Sequence, residues 1–341
     1  MKEINFAVIG LGHIGKKHVE VIQQQTQARL IAVCDTNLSL QNNYDLPFYT
    51  DLSQLLSIEN EIEVLCICTP NGLHHVHSIA AIRAGKHVVC EKPMALKRQH
   101  CEEIIYEALL HKRQVFCVMQ NRYSPPAQWL KQLINEGQLG AIYTVEIRCF
   151  WNRDDRYYLV QNNPQAWKGS LSLDGGVLFT QFSHFVDMLY WLFGDIENIQ
   201  AQFFNFNHQH STEFEDTGHI NFSLCRGGAG SLQFSTAVYA QNLESSLTII
   251  AQNGSVKVGG QYMNEVEYCY IKDYEPPTLP PSRPPNDYGT YKGSASNHIY
   301  LIKNVVEVLQ GADTISTNAV EGMKVVEMIE NIYKAGKRWQ K

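Results

Sequence analysis

Three glycines near the start of the chain, Gly10, Gly12 and Gly15, narrow the choice of fold more than any other feature. They directly follow the apolar run Ile4–Ile9, and a helical pattern begins at about Ile14. In such a setting the first glycine permits a tight turn, the second lets a ligand approach the backbone, and the third lets the helix pack against the strand. The helix N-terminus then offers N–H groups and a positive dipole to phosphates. The pattern therefore predicts a strand, loop and helix that hold a dinucleotide.

An acidic residue at the end of the second apolar run strengthens this prediction. Asp35 lies about 20 residues after Gly15, where a carboxylate accepts hydrogen bonds from the adenosine ribose and repels a 2′-phosphate. His13 and Ile14 complete the predicted phosphate loop because their N–H groups belong to the first helical turn. We predict NAD as the cofactor.

The pattern along the chain changes after its first third. Up to about Gln120, short apolar runs alternate with helical stretches, which predicts a doubly wound parallel sheet with helices on both faces. Beyond Pro126, longer β-type segments follow one another with tight turns, which indicates an antiparallel sheet. One helical insertion, residues 176–193, interrupts them. The predicted class is α/β plus α+β: a Rossmann domain over residues 1–121 and a domain with an open-faced antiparallel sheet over residues 122–341.

Composition excludes several classes of protein. The chain has 341 residues, a formal net charge of −6 and no run of lysine or arginine, so it carries no basic surface for nucleic acid or anionic membrane. No apolar run is long enough to cross a bilayer, and no signal peptide is visible, so we expect a cytoplasmic protein. Two histidine clusters, residues 74–77 and 208–210, lack carboxylates or thiolates at ligand spacing, and we predict no metal.

Two loops follow buried apolar runs at positions where parallel sheets bind ligands. The first contains Thr69, Pro70, Asn71 and His74. The second is Glu91-Lys92-Pro93, which resembles the signature of the glucose–fructose oxidoreductase and inositol 2-dehydrogenase family. The resemblance implies that Lys92 approaches the nicotinamide and the reacting hydroxyl, that Glu91 also lies at the cofactor, and that the peptide before the proline is often cis.

A second motif of that family is similar to the segment DGGVLFTQFSHFVD, residues 174–187. The resemblance implies that His184 is a second proton-handling group and Asp187 its partner or support. On a helical period Thr180, His184 and Asp187 share a face, and we interpret Asp174 as the N-cap of this helix. The residues leave open whether Lys92 or His184 takes the proton.

Further segments resemble one branch of the family, the enzymes that oxidise the C3 hydroxyl of UDP-N-acetylglucosaminuronate during surface polysaccharide (lipopolysaccharide O-antigen) biosynthesis. These segments are QNRYSPP (120–126), FWNR (150–153), WKG (167–169), TQ (180–181), EDTG (215–218) and GSVKVGG (254–260). The resemblance implies cofactor contacts for Gln120, Trp167 and Lys168. It implies substrate contacts for Lys92, Asn121, Arg122, Arg153, Arg156, Tyr158, Thr180, Gln181 and His184.

The distribution of positive charge favours an anionic substrate. The chain is acidic as a whole, but four basic residues lie in or near these segments: Arg122, Arg153, Arg156 and Lys168. Two positions depart from the branch: Lys168 replaces a more usual arginine, and Phe182 a smaller residue. The alternatives are another sugar or polyol dehydrogenase or keto-sugar reductase of the family, or a non-catalytic NAD-binding sensor.

We also expect a homodimer or homotetramer. The family resemblance implies that the exposed face of the open sheet packs against a second subunit, and a sheet this rich in aromatic residues needs cover on both faces. The aromatic residues are Phe203, Phe204, Phe206, Phe222, Phe234 and Tyr239.

Overall fold

The structure, a computed structural model, describes residues 3–159 and 167–338. The chain forms two compact units, Met1–Met119 with His298–Val326, and Gln120–Asn297 with Glu327–Lys341. The first boundary lies two residues before the predicted one at residue 121. The prediction placed residues 298–326 in the second domain, whereas in the structure they pack with the first unit.

The first unit is built on a six-stranded sheet in which every neighbouring pair is parallel, in the order β3-β2-β1-β4-β5-β6. The strands are β1 (Ile4–Ile9), β2 (Ala28–Cys34), β3 (Phe48–Tyr49), β4 (Val64–Ile67), β5 (His87–Cys90) and β6 (Val115–Cys117). Every residue of β4 and β6 is buried, as expected for strands covered on both faces. The strand order reverses beside β1, which is the point where such sheets bind ligands.

Four helices alternate with these strands: α1 (His13–Gln23), α2 (Leu52–Ile58), α3 (His74–Arg83) and α4 (Arg98–His111). The side chain of Asp51 caps α2 by accepting a hydrogen bond from the Gln54 N–H at 3.0 Å. Helix α4 ends where Lys112 takes the left-handed conformation with φ 53°. The alternation of strand and helix confirms the predicted doubly wound domain.

The second unit contains an eight-stranded sheet in the order β13-β12-β11-β7-β10-β9-β8-β16, together with a small two-stranded sheet, β14–β15. The strands are β7 (Ile142–Phe150), β8 (Ile196–Phe204), β9 (Thr217–Leu224), β10 (Ala229–Ser235), β11 (Glu244–Ala251), β12 (Gly254–Gly259), β13 (Glu265–Ile271), β14 (Pro285–Asp287), β15 (Lys292–Ala295) and β16 (Gly336–Arg338).

The large sheet is mixed rather than antiparallel as predicted. The pairs joined by tight turns, such as β9–β10 and β11–β12, are antiparallel. However, β7 pairs with β10 and β8 pairs with β16 in parallel. Long connections separate the strands of each parallel pair, and such connections allow the chain to return to the same end of the sheet.

The helices of the second part of the chain are α5 (Pro125–Asn135), α6 (Asp155–Tyr158), α7 (Val177–Thr180), α8 (Ser183–Phe193), α9 (His298–Leu309) and α10 (Ala319–Ala335). The predicted single helix over residues 176–193 is thus two helices, α7 and α8. The residue preceding α7 is Gly176, so Asp174 is not its N-cap. Instead, the Asp174 carboxylate accepts hydrogen bonds from the Gly169 N–H at 2.8 Å and from the Thr180 hydroxyl.

The aromatic residues of the large sheet do not line one open face. Phe203, Phe222 and Phe234 are buried, and the Phe234 ring lies 5.6 Å from that of Phe182 just before α8. The opposite face of β9 and β10 is polar, and Phe206 and Tyr239 are exposed beyond the strand ends. These three rings are covered within the unit itself, and the oligomeric state stays a prediction. Among the described residues, no helix has the length and apolar character to span a bilayer.

Candidate functional site

The glycine loop between β1 and α1 has the shape that a dinucleotide requires. Gly10 has a φ of 86°, and a Cβ there would lie 2.5 Å from the Cys68 carbonyl oxygen; a Cβ at Gly15 would lie 1.7 Å from the Gly10 oxygen. Both positions therefore exclude any side chain. At Gly12, in contrast, a Cβ would meet no atom within 4 Å. This glycine leaves open space rather than avoiding a clash, as expected where a ligand approaches the backbone.

Asp35 is fixed beside this loop. One of its carboxylate oxygens accepts the Leu11 N–H at 2.6 Å, and the other accepts the Asn37 N–H at 2.8 Å. Gly12 contributes no side chain to cap α1, and the first-turn N–H groups of a helix, here those of His13 and Ile14, point toward its N-terminus. The loop, the helix terminus and the carboxylate fit the pyrophosphate and ribose of NAD.

The loop after β4 is tied to neighbouring segments by histidines. The Thr69 hydroxyl lies 3.0 Å from Nδ1 of His77. His74, predicted to contact the cofactor, is buried, and its Nδ1 and Nε2 lie 2.7 Å and 2.8 Å from the carbonyl oxygens of Pro93 and Thr69. The pKa of His74 is lowered by burial, although the two carbonyl oxygens oppose this shift. The side chain therefore joins the two predicted ligand loops to each other. Pro70 precedes Asn71, which is buried at the start of a short 3₁₀ turn.

The second loop begins directly after β5, and its Lys92–Pro93 peptide is cis, as the family resemblance implied. Glu91 is buried and accepts the Lys92 backbone N–H at 3.1 Å through Oε2. Its Oε1 lies 2.9 Å from Nε2 of His18 and 3.3 Å from Nε2 of His298. Burial opposes ionisation of Glu91, but the hydrogen bond from His18 and the close contact with His298 hold the pKa of its carboxyl well below the usual range.

Neither His18 nor His298 was among the residues predicted from the sequence. A signal for His18 was present, because it lies one helical turn before Ile22 on the buried face of α1. A polar residue on such a face requires a buried partner. The same signal exists for His298, which lies one helical turn before Ile302 on the buried face of α9.

In the second unit His184 lies on α8 and is buried. Its Nε2 is 3.1 Å from Nε2 of Gln120, a residue predicted to contact the cofactor. Asn121 is also buried, and its side-chain oxygen accepts a hydrogen bond from the Ser294 hydroxyl.

Arg122 forms a buried ion pair with Asp187. The guanidinium Nη2 lies 2.6 Å from Oδ1 of Asp187, and Nε lies 2.9 Å from Oδ2, so the contact is bidentate. The guanidinium carbon is also 5.3 Å from the centre of the Trp191 ring. This ion pair favours a structural role for Arg122 over the predicted substrate contact. It also means that Asp187 binds Arg122, whereas Asp187 was predicted to partner or support His184.

Arg153 and Lys168 approach a common group of aromatic rings. Arg153 is only 1% exposed, and its guanidinium lies 4.8 Å from the ring centre of Tyr291 and 5.5 Å from that of Tyr157. The Lys168 ammonium lies 3.8 Å from the Tyr157 ring centre and 5.5 Å from that of Tyr291. Burial lowers the pKa of Lys168 to about 8; Asp174 opposes this shift and Arg153 adds to it. We call Arg153, Lys168, Tyr157 and Tyr291 the cation–tyrosine cluster.

Neutral acceptors hold Arg153 in place. Its Nε donates to the Gln181 side-chain oxygen at 2.7 Å, and its Nη2 donates to the Lys292 carbonyl at 3.0 Å. Gln181 in turn donates to the Tyr157 hydroxyl at 2.8 Å. These partners carry no charge, so they do not neutralise the positive charge of the guanidinium. Burial lowers the pKa of Arg153.

The remaining predicted residues fall into two groups. Tyr158 and Thr180 are buried, the former with its ring 4.9 Å from that of Tyr157, and Trp167 is half-buried before Lys168. Arg156 is different, because it lies at the surface and pairs with Asp154 at 2.6 Å.

Family models match segments in both units. The model described as "Oxidoreductase family, NAD-binding Rossmann fold" covers residues 4–119, and that described as "GFO/IDH/MocA C-terminal domain" covers residues 127–257.

Two similar solved structures are WlbA dehydrogenases in complex with NADH and UDP-GlcNAcA. The protein from Bordetella pertussis is 30% identical with a TM-score of 0.86, over 98% of this chain and 96% of that one. The protein from Chromobacterium violaceum has the same identity and TM-score over 98% and 94%. Levoglucosan dehydrogenase of Pseudarthrobacter phenanthrenivorans is 30% identical over 217 residues, which are 59% of this chain and 54% of that protein. The chain spans about half the length of the curated relatives that it matches first.

Proposed function

Because this chain belongs to the GFO/IDH/MocA oxidoreductase family, we propose that it oxidises the C3 hydroxyl of a UDP-linked N-acetylamino-sugar uronate with NAD. The observation that carries the proposal is the cation–tyrosine cluster in a chain that is acidic as a whole. A uronate and a diphosphate are both anions, and buried cations beside aromatic rings suit an anionic substrate with a planar base. The similarity to two dehydrogenases crystallised with UDP-GlcNAcA supports the same substrate class.

The proposed reaction removes a hydride and a proton from one carbinol group. Bound NAD supplies the hydride acceptor. Lys92 takes the hydroxyl proton and must therefore be a neutral amine when the substrate is in place. In the structure the Gln120 amide nitrogen lies 3.1 Å from Nε2 of His184, so the Gln120 amide competes with the substrate hydroxyl for this ring nitrogen. This arrangement favours Lys92 as the base and His184 as a group that binds the hydroxyl or passes the proton onward.

Arg153 and Lys168 are proposed to hold the substrate anions. Arg153 is fixed by neutral partners, so its charge is available to attract a ligand through the cluster. Lys168 is half-buried and has a lowered pKa, which an anion would raise again. We do not assign Arg122 to the substrate, because Asp187 already binds it.

The biological setting that we propose is surface polysaccharide synthesis, with the protein in the cytoplasm as a homodimer or homotetramer. A second candidate is oxidation of a free sugar or polyol, which the names of several curated relatives favour. These include levoglucosan dehydrogenase and inositol 2-dehydrogenase/D-chiro-inositol 3-dehydrogenase.

The test is NADH formation followed by ultraviolet absorbance with four substrates. UDP-N-acetylglucosaminuronate carries both anions, UDP-N-acetylglucosamine lacks the uronate, free N-acetylglucosaminuronate lacks the diphosphate, and myo-inositol lacks both. We expect the first to react with the highest kcat/KM. Equal or faster turnover of a free sugar would support the second candidate. If none of the four reacts while NAD still binds, a sensor without catalytic activity becomes the better account.

A further inference from the structure

Three buried polar side chains in the first unit form a cluster that the proposed reaction does not use directly. His18 lies on α1, Glu91 follows β5, and His298 is the first residue of α9. Both histidines are 0% exposed and Glu91 is 5% exposed. Three separate segments therefore meet at one carboxylate. We call these residues the His–Glu–His cluster.

The geometry identifies which histidine donates a hydrogen bond to this carboxylate. Nε2 of His18 lies 2.9 Å from Oε1 of Glu91, and a carboxylate oxygen accepts hydrogen bonds, so this nitrogen must carry a hydrogen. Nε2 of His298 lies 3.3 Å from the same oxygen, a contact that does not meet hydrogen-bond geometry. His18 therefore donates to Glu91, and His298, at the start of α9, packs against the same carboxylate.

The same carboxylate reaches the main chain of the proposed base. Oε2 of Glu91 accepts the Lys92 N–H at 3.1 Å. On the other side of Lys92, the Pro93 carbonyl oxygen lies 2.7 Å from Nδ1 of His74. The backbone around Lys92 is thus held at two points, and the first depends on a carboxylate that the two histidines keep in place.

We propose that His18 and His298 are positioning residues, which orient the Glu91 carboxylate so that it fixes the Lys92 backbone. This inference rests on the proposed role of Lys92 as the base. It also connects two parts of the first unit, because α1 carries both the dinucleotide loop at its start and His18 one turn later. The three ligand atoms lie within 4.8 Å of one another, so a bound metal is the competing interpretation. A metal requires lone pairs on both Nε2 atoms, whereas a positioning role requires a hydrogen on Nε2 of His18.

Matched amide variants separate the role of Nε2 from simple filling of space. The amide nitrogen of His18→Gln can reach the place of Nε2, whereas that of His18→Asn reaches only the place of Nδ1. Loss of a hydrogen bond to a buried charge corresponds to roughly a 10- to 100-fold effect. We expect His18→Asn to lower kcat by about that factor, and His18→Gln to retain most of the wild-type kcat. The dissociation constant of NAD should change little in either variant, since the loop glycines and Asp35 are untouched.

Two further measurements do not depend on the sugar substrate. Hydrogen exchange in the peptide containing Lys92 should be faster in His18→Asn than in His18→Gln or the wild type, because the Glu91 acceptor is no longer held. Nitrogen NMR of histidine-labelled protein with NAD bound should show a hydrogen on Nε2 of His18. If the wild type fails to oxidise any UDP-sugar, the proposed function fails, yet these two measurements still decide the positioning role.

Several outcomes would overturn this role. They are equal losses of kcat in the two variants, a parallel loss of NAD affinity, unchanged exchange at Lys92, an Nε2 of His18 that carries no hydrogen, or stoichiometric metal by elemental analysis of the holoenzyme.

Discussion

Replacing Arg122 with methionine should destabilise the protein rather than weaken substrate binding. Arg122 and Asp187 are 3% and 0% exposed, and their contact is bidentate at 2.6 Å and 2.9 Å. Removing one member of a buried ion pair leaves a charge in the interior without its counter-charge and costs about 3–5 kcal/mol. In a unit of this size 1 kcal/mol shifts Tm by roughly 2–4 °C, so the expected loss is on the order of 10 °C. Asp187→Leu alone should lower the free energy of unfolding by a similar amount, because it leaves the buried arginine without its counter-charge.

The assay is a double-mutant cycle by thermal and urea unfolding. The Arg122→Met/Asp187→Leu variant removes both charges and should recover much of the loss of either single variant, since no isolated charge remains. Arg156→Met is the control, because Arg156 pairs with Asp154 at the surface and its loss should leave Tm unchanged. The reasoning is refuted if Arg122→Met keeps the wild-type Tm and instead raises KM for the sugar.

Two other predictions concern the ligands. Asp35→Ser should raise the preference for NADP relative to NAD, because it removes the charge that repels a 2′-phosphate. The dissociation constants of both cofactors can be measured by fluorescence titration. An unchanged ratio of the two constants would mean that Asp35 has another role. The pKa of Lys168 is about 8 in the protein without ligand, and an anion raises it, so affinity for the sugar is full below pH 8 and falls up to tenfold for each unit above it. Calorimetry at several pH values should show this decline in the wild type and a flatter profile in Lys168→Gln; identical profiles would exclude Lys168 from the anion site.

The parts of the fold that could be predicted from sequence are those set by local pattern. The glycine spacing, the preceding apolar run and Asp35 lie within about 35 residues of one another, and the structure brings them together as expected. The predicted family, fold class and NAD as cofactor are confirmed, and the oxidoreductase class is confirmed at the level of the family. The sugar, the polysaccharide pathway and the oligomeric state stay predictions.

The contacts that escaped prediction join residues far apart in sequence. Arg122 and Asp187 are separated by 65 residues, and His18 and Glu91 by 73. A residue type and its helical face indicate that a partner is needed, but only the tertiary fold selects which one. This is why Arg122 was placed with the substrate cations, although a buried carboxylate binds it.

The large sheet shows a similar limit. Tight turns identify antiparallel neighbours, and those pairs formed as expected. The parallel pair β7–β10 depends on a long connection that carries no such signal. Strand alternation also did not show which aromatic residues would be covered within the unit, as Phe203 and Phe234 are.

The most direct test of the proposed reaction follows the hydrogen on C3 of the sugar. UDP-N-acetylglucosaminuronate carrying deuterium at C3 is incubated with the protein and NAD, and the NADH formed is analysed by mass spectrometry and proton NMR. The account predicts that the deuterium appears in NADH, and that Lys92→Met still binds NAD but forms about 10²- to 10⁴-fold less of this product. NADH that contains no deuterium, or full activity of Lys92→Met, would contradict it.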